Sequence, residues 1–250
     1  MFYGIPTSRL NEMQQAMTSL ADIFKGQFYS NDMLITIGRN MSFKRDKKFM
    51  SSFSAGASSE QEQSLLWRLH TLAWAAKNAL KIKGDFVECG VYKGFCSGVL
   101  FDYLEFQDLP RQAYLYDTFD GLPEETSTEA ERVAWNYKQD DKDAVYLAVC
   151  EKFSKFDNVH VVRGTVPDSF NLAVPDEIAF LHIDMNSEQA EMLALEHLFD
   201  KVTPGGFIVL DDFGWMSNRN QMSAELAFMN ERGQHVMELP TGQGLVIKMA

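Results

Sequence analysis

From residue 61 onward, short apolar runs alternate with stretches of helical periodicity, and nothing constrains the fold of this chain more. The spacing of Leu65, Leu69, Leu72, Ala76 and Leu80 predicts a helix over 61–80. Strands are predicted at 85–89, 113–116, 159–162, 178–183 and 207–210, with helices at 95–106, 141–153, 188–202 and 221–231 between or after them. Two late strands, 235–238 and 244–248, are joined only by Leu239-Pro240-Thr241-Gly242-Gln243 and so pair antiparallel. Strands that alternate with helices are covered on both faces, which requires a parallel, doubly wound sheet. The expected fold class is therefore α/β, a mostly parallel seven-stranded doubly wound sheet closed by an antiparallel hairpin strand.

The N-terminal part follows different rules. Leu10, Met13, Met17, Leu20 and Phe24 share one face of a helix over 9–25. Residues 26–60 read as irregular, with Gly26, Gly38, Gly56, a basic cluster at 44–48 and a Ser-rich run at 51–59. The expected organisation is an N-terminal helix and flexible lid over 1–60, followed by one ligand-binding domain over 61–250. A length of 250 residues with 46% hydrophobic content suits one α/β domain with additions. The net charge of −12 repels phosphate backbones and speaks against a nucleic-acid partner. No run approaches a membrane span, and the first ten residues are unlike a signal peptide, so a cytoplasmic protein without a membrane partner is expected. Cys89, Cys96 and Cys150 form no CxxC pair, which excludes a disulfide framework or a structural zinc site. Self-association into a homo-oligomer is left open.

Ligands of open α/β sheets sit at the carboxyl ends of the strands. The first strand ends in Glu88-Cys89-Gly90-Val91-Tyr92-Lys93-Gly94. Its two glycines let backbone approach a ligand, but the spacing lacks the tight Gly-x-Gly-x-x-Gly phosphate turn. Glu88 disfavours a pyrophosphate and favours a cationic ligand such as S-adenosylmethionine (SAM). The second strand ends in Asp117-Thr118-Phe119, where an acid can accept from both ribose hydroxyls of NAD or SAM alike. Gly164-Thr165 after the third strand is a turn that could border an adenine. The fourth strand ends at Asp184-Met185-Asn186 and the fifth at Asp211-Asp212. Three carboxylates at adjacent strand ends need neutralising, and a hard divalent cation with oxygen ligands does this. His182 alternates with Asp184 and is the histidine nearest this cluster; His70, His160, His197 and His235 read as structural.

Together these segments resemble the macrocin-type O-methyltransferases (the TylF/MycF/NovP family). The resemblance rests on Gly84 to Val91, Asp117-Thr118-Phe119-Asp120-Gly121-Leu122-Pro123, Leu181 to Asn186, Pro204 to Phe213 and Leu239 to Lys248. It implies a Rossmann-like class I methyltransferase fold with SAM and Mg²⁺ as cofactors. It also implies a small-molecule hydroxyl acceptor, often a sugar. By motif, Glu88, Cys89, Gly90, Val91 and Gly94 would hold the methionine end of SAM, Asp117, Thr118 and Phe119 its ribose, and Gly164 and Thr165 its adenine. Asp184, Asp211 and Asp212 would bind the metal, with Asp184 assisting deprotonation. The chain departs from the family after Asp184, where many members carry a second acid and Tyr-x-Ser-Thr. Three rival readings are weaker. An NAD-dependent oxidoreductase needs the missing glycine turn, a haloacid-type phosphatase needs Asp-x-Asp on the first strand, and a non-catalytic SAM-binding scaffold would have lost the aspartates.

Overall fold

The computed structural model describes residues 5–137 and 141–250. In chain order its elements are α1 (Leu10–Ile23), β1 (Phe28–Asn31), β2 (Leu34–Ile37), α2 (Lys47–Gly56), α3 (Glu60–Ser64), α4 (Leu66–Ala79), β3 (Asp85–Cys89), α5 (Phe95–Leu104), β4 (Ala113–Asp117) and α6 (Glu129–Ala134). They continue with α7 (Lys142–Phe153), β5 (Val159–Arg163), β6 (Ile178–Ile183), α8 (Glu188–Leu198), β7 (Val202–Leu210), α9 (Arg219–Glu231), β8 (Met237–Glu238) and β9 (Gly244–Ile247). Strands β3 to β9 form one seven-stranded sheet in the order β5-β4-β3-β6-β7-β9-β8. The first five of these are parallel, and β9 runs antiparallel to β7 and β8. This is the expected architecture. The sheet grows from β3 in one direction through β4 and β5, then in the other through β6 and β7, so the crevice of a doubly wound fold lies above β3 and β6.

Strand alternation divides the core. Phe86, Phe180 and Val209 face α4 and α5, where Leu69, Leu72 and Val99 are buried. Val87, Leu181, Ile183, Ile208 and Leu210 face the opposite way, toward Ala194 and Leu198 of α8 and Phe228 of α9. Because both faces are covered, these strands read as nearly continuous apolar runs.

The N-terminal segment corrects the irregular reading of 26–60. Strands β1 and β2 form a hairpin in which Asn31 pairs with Leu34. The two turn residues, Asp32 and Met33, have φ of 50° and 58°, the signature of a type I′ turn, which usually carries glycine or asparagine. Helix α2 begins at Asp46, whose carboxylate accepts from the backbone N–H groups of Lys48 and Phe49. Phe49 and Phe53, one turn apart, are buried in the core on this helix. Burial of each contributes about 1.5–3 kcal/mol, which holds the segment despite its serines. The predicted helix over 61–80 is two helices, broken at Leu65, and α3 starts with a capping box between Ser59 and Glu62. The strand expected at 235–238 shrinks to Met237–Glu238, while β7 starts earlier than expected, at Val202. None of the helices in the described residues is long and apolar enough to cross a membrane.

Candidate active site

The crevice holds a cavity of about 420 Å³, within the range of small-ligand sites. Its lining includes Glu88, Gly90, Asp117, Phe119, Gly164 and Asp184. Gly90 is the point of closest backbone approach. Its φ is +91°, and a Cβ there would lie 1.8 Å from the carbonyl oxygen of Asp184, so only glycine fits. The N–H of Asp184 in turn bonds the carbonyl of Cys89 at 2.8 Å. Strands β3 and β6 are thus clamped together where the ligand must approach.

Asp117 organises the loop that follows. Its Oδ2 accepts from the N–H groups of Val91 and Tyr92, both at 2.7 Å, and its Oδ1 accepts from Phe119 at 2.6 Å. Val91, Thr118 and Thr165 also border the cavity, as do Ser58, Ser59, Gln61 and Glu62 from the N-terminal segment. Two expected cofactor residues do not line it. Cys89 is fully buried in the core, reached only through its backbone, and Gly94 faces the ring of Phe153 behind the loop. Their strand and turn positions made them candidates, but alternation turns Cys89 to the far face of β3.

The carboxylates converge as expected, with an unexpected cation among them. Arg68 of α4 donates from Nε to Asp32 at 2.8 Å and from Nη1 to Asp211, and its Nη1 lies 3.5 Å from Asp212. Burial opposes its charge, but Asp211, Asp212 and Asp32 outweigh this and hold its pKa well above the ordinary value. Asp211 is desolvated by the same burial, yet Arg68, His182 and Gln243 keep its pKa low. Asp212 goes the other way, pushed up to about 6 by burial and by the charge of Asp211. Asp184 is raised well above the carboxylate range by burial, Asp211 and Asp212. Asn186, with φ of +55°, donates its side-chain N–H to Asp184 at 3.1 Å. Asp184, Asp211 and His182 each bring one ligand atom within 4.8 Å of the others. Asp212 stands outside this group. Burial lowers the pKa of His182, but the carboxylates of Asp211 and Glu88 raise it to about 10.

The family model described as Macrocin-O-methyltransferase (TylF) matches residues 64–237. The chain belongs to the TylF macrocin O-methyltransferase family. It is 30% identical over 161 residues to mycinamicin III 3''-O-methyltransferase of Micromonospora griseorubida, covering 58% of this chain and 62% of that relative. It is 26% identical over 159 residues to an 8-demethyl-8-(2,3-dimethoxy-alpha-L-rhamnosyl)-tetracenomycin-C 4'-O-methyltransferase of Streptomyces olivaceus, covering 59% of this chain and 60% of the relative. The matched part therefore spans about three fifths of these relatives (62% and 60%). The solved structure of the O-methyltransferase NovP shares the fold, with a TM-score of 0.62 at 19% identity over 74% of this chain and 81% of that one.

In this TylF-family chain a second buried carboxyl pair supports the loop after Asp184. Oε1 of Glu191 accepts from the N–H groups of Met185 at 2.9 Å and Asn186 at 3.2 Å, and Oε2 accepts from the Gln221 amide at 2.9 Å. Glu225 of α9 is equally buried beside it. Burial, then the charge of Glu225, raises the pKa of Glu191; burial also raises Glu225, with the charge of Asp212 adding. The pair therefore keeps a proton. A carboxyl whose native pKa is raised binds its proton more tightly when folded. Its stability contribution is full below the ordinary carboxylate pKa and is lost as the pH rises through the raised native value. Glu225→Gln should match the wild type near pH 5 and exceed it near pH 8 by roughly 1–3 kcal/mol, since one pKa unit is worth about 1.4 kcal/mol. Urea midpoints at the two pH values measure this; an equal difference at both would rule out a shared proton.

Arg68, Asp32, Gln243 and the Glu191–Glu225 pair are site residues that motif reading did not find. One signal was available for Arg68: it is the only charged side chain between Glu62 and Lys77.

Proposed function

We propose that this chain is a SAM-dependent O-methyltransferase that methylates a hydroxyl of a small molecule, a sugar of a natural product or glycan, with a divalent cation assisting. The observation that carries this reading is the adjacency of a cofactor-sized cavity, walled by Glu88, Gly90 and Asp117, to a buried carboxylate cluster reached through Asp184. The named activities of its relatives, methylation at a 3''-hydroxyl and on a rhamnosyl-bearing compound, support a sugar acceptor.

The residues fit a cation. Among the described residues, the ion pairs of Asp32, Glu88, Asp211 and Asp212 within the cluster are made with Arg68 and His182; five carboxylates, Asp184 included, against two cations favour a divalent ion. Asp184 and Asp211 would hold it, with Asp212 kept alongside by Arg68; an all-oxygen set takes Mg²⁺. When bound, the ion lowers the pKa of a ligating hydroxyl. The chain does the rest. Asp117 and the Gly90 backbone hold SAM, with one ribose hydroxyl on the single Oδ1 lone pair that Asp117 does not commit to the loop. Asp184 accepts the acceptor's proton at a carboxylate oxygen. Cavity walls fix the hydroxyl in line with the methyl group.

The test is calorimetry of SAM binding together with methyl transfer from labelled SAM to glycosides, with and without chelator. Asp117→Asn should weaken SAM by roughly 1–3 kcal/mol, the scale of lost charged hydrogen bonds. Asp184→Asn should abolish transfer while leaving most SAM affinity. Full turnover in excess chelator would remove the cation from the mechanism, and absence of SAM binding would sink the whole reading. We also propose that the rim Ser58–Glu62 closes over bound SAM. Hydrogen exchange there should slow when SAM is added; an unchanged rate would dismiss a lid.

A further inference from the structure

His182 lies at the centre of three strand ends. It pairs in register with Glu88 of β3 and with Val209 of β7, two residues before Asp211. Its Nδ1 is 2.9 Å from Oε1 of Glu88, and its Nε2 is 3.6 Å from Oδ1 of Asp211. The ring is 1% exposed, and Nε2 has no hydrogen-bond partner. A buried nitrogen left in this way needs an explanation. The gap to Asp211 is too long for a hydrogen bond. It is, however, the separation of two ligands on one ion, which stand about 3–3.6 Å apart when each is about 2.1 Å from the metal. Asp184 brings the third ligand atom, all three within 4.8 Å of one another.

The surroundings orient the ring for this task. The Glu88 carboxylate accepts the Nδ1 proton, so a cation that replaces the Nε2 proton would find that lone pair directed at the cluster, the carboxylate–histidine arrangement found behind metal ligands. Glu88 is itself fixed, since the hydroxyl of Ser97 donates to its other oxygen. Oδ1 of Asp211 is held by the Gln243 amide at 2.7 Å, and its Oδ2 by Arg68. Each ligand thus has a partner that sets its direction, and Asp212 is drawn aside by Arg68.

We propose that Nε2 of His182 joins Asp184 and Asp211 in binding a first-row transition cation such as Mn²⁺, and that this nitrogen makes the site prefer such ions to Mg²⁺. The proposal rests on the metal-assisted reading above and replaces its Mg²⁺ with a transition ion, because one ligand is a nitrogen. First-row transition ions accept an imidazole nitrogen more readily than Mg²⁺, which keeps oxygen and water ligands, and Mn²⁺, the weakest binder of that series, is its paramagnetic probe.

The experiment uses the full chain, titrated with Mn²⁺ and with Mg²⁺ by calorimetry, followed by pulsed EPR of the Mn²⁺-loaded protein. The expected result is Mn²⁺ bound at least about tenfold more tightly than Mg²⁺, with a directly coordinated nitrogen in the spectrum. His182→Asn keeps a donor for Glu88 but lacks the second nitrogen. It should lose the nitrogen signal and weaken Mn²⁺ at least about tenfold while changing Mg²⁺ affinity little. Should that variant fail to fold, the wild-type spectrum and Asp184→Asn, which should also lose the signal, decide the matter. Mn²⁺ bound with oxygen ligands alone, or a nitrogen signal that survives His182→Asn, overturns this inference and leaves the metal-assisted reading standing. A wild-type chain that binds neither ion overturns both.

Discussion

Arg68→Met should destabilise the protein by about 3–5 kcal/mol, because removing one partner strands the other buried charges without compensation. Arg68 faces three carboxylates, Asp32, Asp211 and Asp212, and only 12% of its side chain is exposed. Methionine fills much of the same volume, so the loss reports charge rather than a cavity. The pH dependence follows from Asp211, whose native pKa is held low, with burial opposing and Arg68 then favouring the charged form. A depressed native pKa contributes stability above the unfolded carboxylate value, and that stability is lost as the pH falls through the native one. The gap between wild type and variant should therefore be full near neutrality and narrow below about pH 4. Excess divalent cation should restore part of the stability, since a ligand that binds only the folded state stabilises it by mass action. Thermal melts at several pH values with and without metal measure all three effects. A variant as stable as wild type at neutral pH would mean that the aspartates already protonate in the native chain and that Arg68 compensates nothing.

Gly90→Ala should be at least as severe, with an expected loss of about 4 kcal/mol or more, the range reserved for changes with a specific steric cause. The new methyl group would meet the carbonyl of Asp184 at 1.8 Å, on backbone that cannot rotate aside. Relief requires β3 and β6 to part at their carboxyl ends, which also breaks the cavity wall. Gly233→Ala is the control. Its φ is +67°, but nothing lies within 4 Å of the added carbon. Only the left-handed backbone penalty of about 1–2 kcal/mol applies there. Urea denaturation separates the two, and SAM calorimetry should show lost affinity for the first variant alone. Comparable losses at Gly90 and Gly233 would show that backbone conformation dominates and that the strand clamp is soft.

The sheet was readable because each strand is an apolar run bounded by a turn, and the acids at positions 88, 117, 184, 211 and 212 stand where such runs stop. Strand ends mark the crevice of this fold, so those residues could be placed from one dimension. The N-terminal hairpin escaped because its turn, Asp32-Met33, adopts left-handed backbone without glycine or asparagine at the second position. Helix α2 escaped because Ser51, Ser52 and Ser54 surround the pair Phe49 and Phe53 that anchors it. Arg68 reaches Asp211 across 143 residues of sequence, from a helix whose other residues signal only core packing. The periodicity that found α4 says which face is apolar, not that one guanidinium on its flank meets the strand ends. Asp117 ends its strand on the cavity wall, but its three bonds to the N–H groups of Val91, Tyr92 and Phe119 depend on loop conformation, which no pattern of residue types encodes.

The line from Ser97 through Glu88, His182 and Asp211 to Gln243 joins the wall of the cofactor cavity to the carboxylate cluster. A ligand that draws on Glu88 would change the charge that His182 meets and, through the ring, the field at Asp211 3.6 Å beyond it. Two binding events that share a common conductor cannot have independent free energies. Whatever factor the cofactor applies to the affinity of the cluster for its own ligand, that ligand must apply in return to the cofactor. Under the proposed reading, the order in which the two sites fill would be a property of three strand-end side chains, and loss of the sulfonium charge at one end would loosen binding at the other.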